Sequence, residues 1–290
     1  MTSVTIGPIP IEVPGVGTVT IPKGSYPLTP PAGPVPPVQS SVLFATSFDP
    51  PCALGPLVGG MVPINGLSAL PWRAQQLAIQ CLGPPSEHRP SIVATPSVSG
   101  GHALRTAMLA GSGSDQEAVL IAPVDPVEEF YLGVDVMLDA NLATKLSPAM
   151  NWTEVFEWKT GGQGANYGGD RRFKFEVNMD GARAMHWRMI LDDDANDPTI
   201  KGITTIFDSA YDSKVPVVPG VWTRIEHYCC RAPGRELIWC KVGGVEVARC
   251  TLPNYGIHHA PINRILLNLY SAAYPQERFW RNLEIRSGLP

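Results

Sequence analysis

Charge is scarce in this chain. Lys, Arg, Asp and Glu make up 17% of its 290 residues, against about a quarter in an ordinary soluble domain. The net charge of −4 leaves no basic footprint for nucleic acid or for an anionic lipid surface. No stretch approaches the ~18 consecutive apolar residues of a membrane span, so no membrane-inserted helix is expected. The first residues lack the basic region, apolar core and small-residue cleavage site of a secretory signal. The location expected on that ground is a virion, whose proteins leave by lysis, with an extracellular location as the alternative. No Gly-x-Ser-x-Gly elbow, phosphate loop or dinucleotide glycine fingerprint is present. No helical pattern of ten residues or more is convincing, although a short helix is allowed near 73–81.

Proline, by contrast, is concentrated. Residues 1–40 hold ten of the 30 prolines and only two charges, Glu12 and Lys23. Such an arm has little apolar surface to bury on itself. Its two phrases Val4-Thr5-Ile6 and Val19-Thr20-Ile21 flank Pro14-Gly15-Val16-Gly17, and could close as a hairpin or add to a partner's sheet. The expectation is an extended anchoring arm over 1–40 that binds other subunits of an assembly through Ile6, Ile9, Ile11, Val19 and Ile21. The folded domain then runs over 41–290, and the protein is expected to be oligomeric.

From Ser41 onward the signal is strand after strand. Phe130, Leu132, Val134, Val136 and Leu138 share one face, as do Phe173, Phe175 and Val177, and Met185, Trp187, Met189 and Leu191. A three-residue Met179-Asp180-Gly181 loop with Gly181 left-handed would pair Phe175 with Met185 and Phe173 with Trp187, keeping like faces together. A two-residue Gly243-Gly244 turn sets Val242 against Val245, Lys241 against Glu246 and Trp239 against Ala248. Residues 222–250 then form a three-stranded meander, and 263–271 with 278–286 a final strand pair. The fold class is all-β, a two-sheet antiparallel sandwich.

Those registers also bear on the six cysteines. Cys230 and Cys250 fall two strands apart, roughly 9–10 Å and too far for a bridge, and Cys229 is only diagonal to Cys240. Cys229, Cys230, Cys240 and Cys250 are expected as reduced thiols. Nothing constrains Cys52 and Cys81.

Several phrases in order carry a resemblance: Leu43–Phe48, Ser99–Arg105, Phe130–Leu138, Val221–Glu226, Leu237–Lys241 with Gly243-Gly244, Arg264–Tyr270 and Phe279–Ile285. Over about 42–287 the chain resembles the concanavalin A-like jelly-roll polysaccharide lyases, the heparin lyase I and glucuronan lyase group. The resemblance implies a jelly roll with a catalytic groove for β-elimination on a uronate polymer. In that group Arg-x-Glu-Leu, Gln-x-His and a late Tyr line the groove, and a base removes the C5 proton beside a neutralised carboxylate. Here the first motif becomes Asp115-Gln116-Glu117-Ala118-Val119, the second Glu157-Trp158-Lys159, and Tyr270 stands at the third. The residues carried over for a lyase are Tyr270, Glu157, Lys159 and Glu117. With the arginine, glutamine and histidine replaced, the function expected first is a structural or adhesion component of a large assembly, a phage virion decoration, fibre or minor tail protein. A lyase is the alternative.

Among aromatic residues, Trp158, Tyr167 and Tyr270 are the candidates to stack on sugar rings in a groove, while Trp187 reads as core. Asp192, Asp194 and Asn196 alternate as in a calcium loop, but the glycine at the sixth position is missing and Ile203 stands where a bidentate glutamate is needed. A solvated acidic turn is the better reading there. Adjacent His258 and His259 point to opposite sides of a strand and have no third ligand at a recognised spacing. No cofactor is expected.

Overall fold

The computed structural model describes residues 3–6, 9–13, 17–21, 24–27, 40–67, 74–111, 115–123, 127–160, 170–195, 202–209, 215–232, 234–251 and 262–290. Two units separate at the arm boundary, Met1–Gln39 and Ser40–Pro290. In the first, β1 (Ser3–Ile6) pairs antiparallel with β4 (Gly24–Pro27), and β2 (Ile9–Val13) with β3 (Gly17–Ile21). Ile9 stands opposite Ile21, and Ile11 opposite Val19. The arm is thus paired with itself rather than simply extended. Pro10 and Pro27 fit because each ladder has only two strands, so every strand is an edge and a missing N–H can face outward.

The second unit is a two-sheet antiparallel jelly-roll sandwich. In chain order its strands are β5 (Val42–Thr46), β6 (Ala53–Leu54), β7 (Met61–Asn65), β8 (Ala74–Leu82), β9 (Ser91–Ala94), β10 (His102–Met108), β11 (Gln116–Pro123), β12 (Glu129–Leu138), β13 (Trp152–Thr160), β14 (Asp170–Met179), β15 (Met185–Ala195), β16 (Gly202–Asp208), β17 (Trp222–Cys230), β18 (Leu237–Val242), β19 (Val245–Cys250), β20 (Ile262–Ser271) and β21 (Gln276–Arg286). One sheet has nine strands in the order β16-β15-β14-β13-β20-β11-β8-β7-β6. The other has eight, β19-β18-β17-β12-β21-β10-β9 with β5 also on β21. Among the described residues the single α-helix is the four-residue α1 (Leu142–Lys145).

The core lies between the sheets and follows the period-two alternation of the sequence. Phe130, Leu132, Val134, Val136 and Leu138 of β12 face Val155, Phe156, Trp158, Phe173, Phe175, Val177, Trp187 and Met189 from the other sheet's inner surface. Phe175 and Trp187 stack at 5.4 Å, and Met185 packs at the rim of this cluster. Each fully buried large apolar side chain contributes about 1.5–3 kcal/mol.

Several registers differ from expectation. Phe175 is opposite Met189 and Phe173 opposite Leu191, because the β14–β15 connection takes five residues, Asp180–Ala184. The Asp180 carboxylate accepts hydrogen bonds from the Ala182 and Ala184 amides and from His186, and the left-handed residue is Arg183 (φ 66). The slip is even, so every side chain keeps its face. At Gly243-Gly244 the first two pairs are as expected, and a bulge then sets Trp239 against Arg249 and Cys240 against Ala248. Residues 74–82 form a strand, not a helix, since Ile79 and Cys81 alternate into the core while β8 pairs with both β7 and β11. β20 and β21 do not pair; they lie in opposite sheets. All six cysteines are buried and unbridged.

Candidate functional site

A single bulge organises the outer face of the nine-stranded sheet. The register of β13 shifts between Glu154 and Phe156 against both β14 and β20. Val155 and Phe156 therefore both enter the core, and Glu154 and Glu157, three positions apart, both face outward. A bulge leaves backbone carbonyls without ladder partners. Arg278, fully buried and reaching across from β21, donates to the Glu154 carbonyl at 2.6 Å, to the Asn268 carbonyl, and to Thr153 Oγ1 at 2.9 Å. The eight-stranded sheet thus holds the backbone beneath the site.

On the outer surface, Asn268 of β20 donates its side-chain amide to Glu154 Oε1 and to Glu157 Oε2 (3.3 Å), and accepts from Gln116 at 2.6 Å. Lys159 is 3.1 Å from Glu157. Lys174 and Arg172 approach Asp192 at 2.8 and 3.3 Å. Arg188 joins Glu176 at 3.2 Å and Asp208 at 2.5 Å. These pairs are layered: the Glu157, Asp192 and Glu176 side chains are 3–6% exposed, whereas Lys159, Arg172, Lys174 and Arg188 are 17–24% exposed. These three acids form the floor and the cations lie above them toward solvent, while Asp208 (32% exposed) lies beside Arg188 at the surface. A cavity of about 560 Å³ opens here, lined by Trp152, Glu154, Arg172, Lys174, Arg188 and Tyr270 among others. Trp152 and Tyr270 meet edge-on at 4.9 Å at its end.

Burial drives the electrostatics. It holds the Glu154 carboxyl well above the ordinary carboxylate range, with Glu157 adding to the shift and Lys159, Arg172 and Lys174 opposing it. Burial also raises Glu176, against Lys174 and Arg188. For Lys159 burial works downward, but Glu157 and Glu154 outweigh it and the ammonium stays above its usual value. The Tyr270 hydroxyl is pushed up by burial, with Glu154 adding.

Of the residues singled out from sequence, Glu157, Lys159 and Tyr270 do meet on this face. Glu117 does not. It sits on the inner side of β11, fully buried, because Gln116 takes the outward position in register with Tyr270. Trp158 is also a core residue, stacked on Phe173 at 5.6 Å, since one step along β13 from the outward Glu157 and Lys159 turns a side chain inward. Tyr167 lies outside the described residues, as do Asn196, His258 and His259. Asp192 and Asp194 belong to a strand rather than a loop, and the Asp192 carboxylate is taken by Arg172, Lys174 and Thr205. Sequence reasoning missed Glu154, Asn268, Arg172 and Arg188. The alternation of Arg172, Lys174 and Glu176 against Phe173 and Phe175 was the signal for a polar face, though nothing in it distinguishes a binding surface from a solvated one.

A second cavity, of about 520 Å³, lies by Asp49, Arg224, Asn282 and Glu284. There Arg224 donates to Asp135 (3.3 Å) and to the Asn282 carbonyl (2.9 Å).

No protein-family model and no curated protein matches the chain. Among solved structures it is similar to alginate lyase Aly36B, at 15% identity over 65% of this chain and 81% of that one, TM-score 0.47. It is similar to the cellulose induced protein Cip1, at 12% identity over 76% and 93%, TM-score 0.48. It is also similar to a carbohydrate esterase from Shiga toxin-encoding bacteriophage phi24B, at 8% identity over 86% and 100%, TM-score 0.47. These are likenesses of chain path at low identity.

Proposed function

We propose that the outer face of the nine-stranded sheet binds an acidic, uronate-containing polysaccharide, and that the protein is an adhesion component of a larger assembly. The observation that carries this is the layering of the face. The Glu157, Asp192 and Glu176 carboxylates are buried beneath Lys159, Arg172, Lys174 and Arg188, with Asp208 at the surface beside Arg188, so over most of the face an approaching chain meets ammonium and guanidinium groups first. Guanidinium and ammonium donors suit sugar carboxylates and hydroxyls. The Trp152–Tyr270 pair offers an apolar edge for ring C–H groups, and a cavity of this size is within the range of small-ligand sites.

Binding is favoured over cleavage because neither side chain carried over as a base is poised. β-Elimination near neutral pH needs a group that gives up its proton there, whereas Tyr270 and Lys159 are both held above their ordinary values. Calorimetric titration against alginate, glucuronan, a heparin-like polymer and a neutral glucan tests the reading. The acidic polymers are expected to bind, and Trp152→Ala and Lys174→Gln each to weaken binding by about tenfold, as loss of one charge-assisted or aromatic contact does. No binding, or wild-type affinity in both variants, overturns it. Ultraviolet absorbance from unsaturated uronate that vanishes in Tyr270→Phe would replace binding with lyase activity.

The arm completes this proposal. With ten prolines and two charges in forty residues, it suits attachment to neighbouring subunits, a virion in the first instance, through Ile6, Ile9, Ile11, Val19 and Ile21. Deleting residues 1–40 is expected to leave the melting of the Ser40–Pro290 unit nearly unchanged and to prevent incorporation into the assembly. A truncated protein that still assembles removes the anchoring role.

A further inference from the structure

Behind the carbohydrate face, on the inner side of β11, a thiol, an imidazole and a carboxylate converge. Ligand atoms of Cys81, His88 and Glu117 all lie within 4.8 Å of one another, and all three residues are buried. Cys81 and Glu117 are direct cross-strand partners on β8 and β11. His88 follows the 3-10 turn Pro85–Glu87 and forms a backbone bridge to Met108 of β10, in the other sheet.

The contacts inside the cluster are those of ligands more than of strong hydrogen bonds. His88 Nδ1 stands 3.3 Å from Glu117 Oε2, long for a charge-assisted bond. It equals the edge of a tetrahedron around an ion with bonds of about 2.0–2.1 Å, which is roughly 3.3–3.4 Å. Two backbone amides fix the carboxylate, Ala107 at 2.8 Å and Arg89 at 3.2 Å, as outer-shell donors fix a ligating group. His88 Nε2 is buried and has no hydrogen-bond partner among the described residues. With Nδ1 turned to such an ion as a ligand, Nε2 carries the ring proton.

We propose that Cys81, His88 and Glu117 form a binding site for a tetrahedral divalent ion of the zinc class. The ion takes Sγ of Cys81, Nδ1 of His88 and Oε2 of Glu117, and a water fills the fourth position. Cys, His and carboxylate are the donor set such an ion prefers. On binding, the Cys81 thiol releases its proton to solvent and enters as thiolate. One bound ion ties β8 and β11 of the nine-stranded sheet to the segment that leads into the eight-stranded one.

The test loads the full chain, freed of metal by a chelator, with Co²⁺ as the spectroscopic probe and Zn²⁺ as the competitor. One Co²⁺ per chain is expected, with the visible bands of a tetrahedral ion and a thiolate-to-cobalt charge-transfer band that Zn²⁺ abolishes. Cys81→Ser should lose that band, and Cys81→Ser and His88→Gln should each weaken binding at least about 100-fold, while Cys52→Ser keeps both band and affinity. Zn²⁺ should raise the melting temperature of the wild type, as any ligand of the folded state does. A wild type that takes up no stoichiometric ion, or a band that survives Cys81→Ser, leaves the cluster as a polar staple and overturns the proposal. If the variants do not fold, the wild-type stoichiometry and thiolate band decide it alone.

Discussion

Trp158→Ala should destabilise the protein by about 3–5 kcal/mol, the usual cost of emptying a large buried aromatic site. Trp158 is fully buried, stacked on Phe173 at 5.6 Å with 9° between the planes, and its indole N–H donates to His227 Nε2 at 3.2 Å. The substitution removes the largest side chain of that cluster and leaves a buried ring nitrogen without its donor, which adds a penalty of its own. For a unit of this size the loss corresponds to a fall in melting temperature of roughly 6–20 °C. The measurement is thermal unfolding followed beside polysaccharide binding. Trp152→Ala should show the opposite pattern, weak effects on melting and a clear loss of affinity. A Trp158→Ala protein that melts like the wild type and fails to bind would return Trp158 to the groove and reverse the facing of β13.

That facing shows where reading the sequence stops. Period-two alternation placed the inner faces of β12, β14 and β15 without help from tertiary structure, because each strand is buried on one side and a residue's parity decides its environment. The turn after β14 was misjudged, but the error of an even number of residues could not move Phe173, Phe175 or Trp187 out of the core. β13 was different. Parity assigns Glu154 and Glu157 to opposite faces, and only the bulge, stabilised from the other sheet by Arg278, puts both carboxylates on one surface. No local pattern signals a bulge whose carbonyls are satisfied by a side chain more than a hundred residues away. The same limit applies to Cys81, His88 and Glu117, brought together by the β8–β11 pairing and by the bridge of His88 to Met108, which short apolar strands do not encode individually.

The second large effect is on acid stability and originates in His227. Burial drives its pKa from the ordinary 6.5 down to about 3. The Nε2 lone pair accepts from Trp158, so the ring proton resides on Nδ1, 3.4 Å from Cys240 Sγ. Phe130, Phe156 and Phe173 surround the ring at 4.4–5.4 Å, and an imidazolium there would face aromatic walls. The sign follows from proton uptake. Between pH 6.5 and about 3 the unfolded chain binds a proton at this residue and the folded chain does not, so stability falls as pH falls through that window. At about 1.4 kcal/mol per pH unit, the whole window is worth on the order of 4–5 kcal/mol. Glu154, Glu176 and Glu117, whose carboxyls burial holds above their ordinary values, act oppositely: their contribution is full below about 4.5 and is lost as pH rises. His227→Gln keeps an acceptor for the Trp158 N–H and removes the titration. Denaturant unfolding at pH 7, 5.5 and 4.5 should therefore show wild-type stability declining by about 1–3 kcal/mol more than that of His227→Gln, which starts lower at pH 7 from its altered packing. Parallel pH profiles for the two proteins would mean that His227 is protonated in the fold, and that the indole of Trp158 gives its hydrogen bond to some other acceptor.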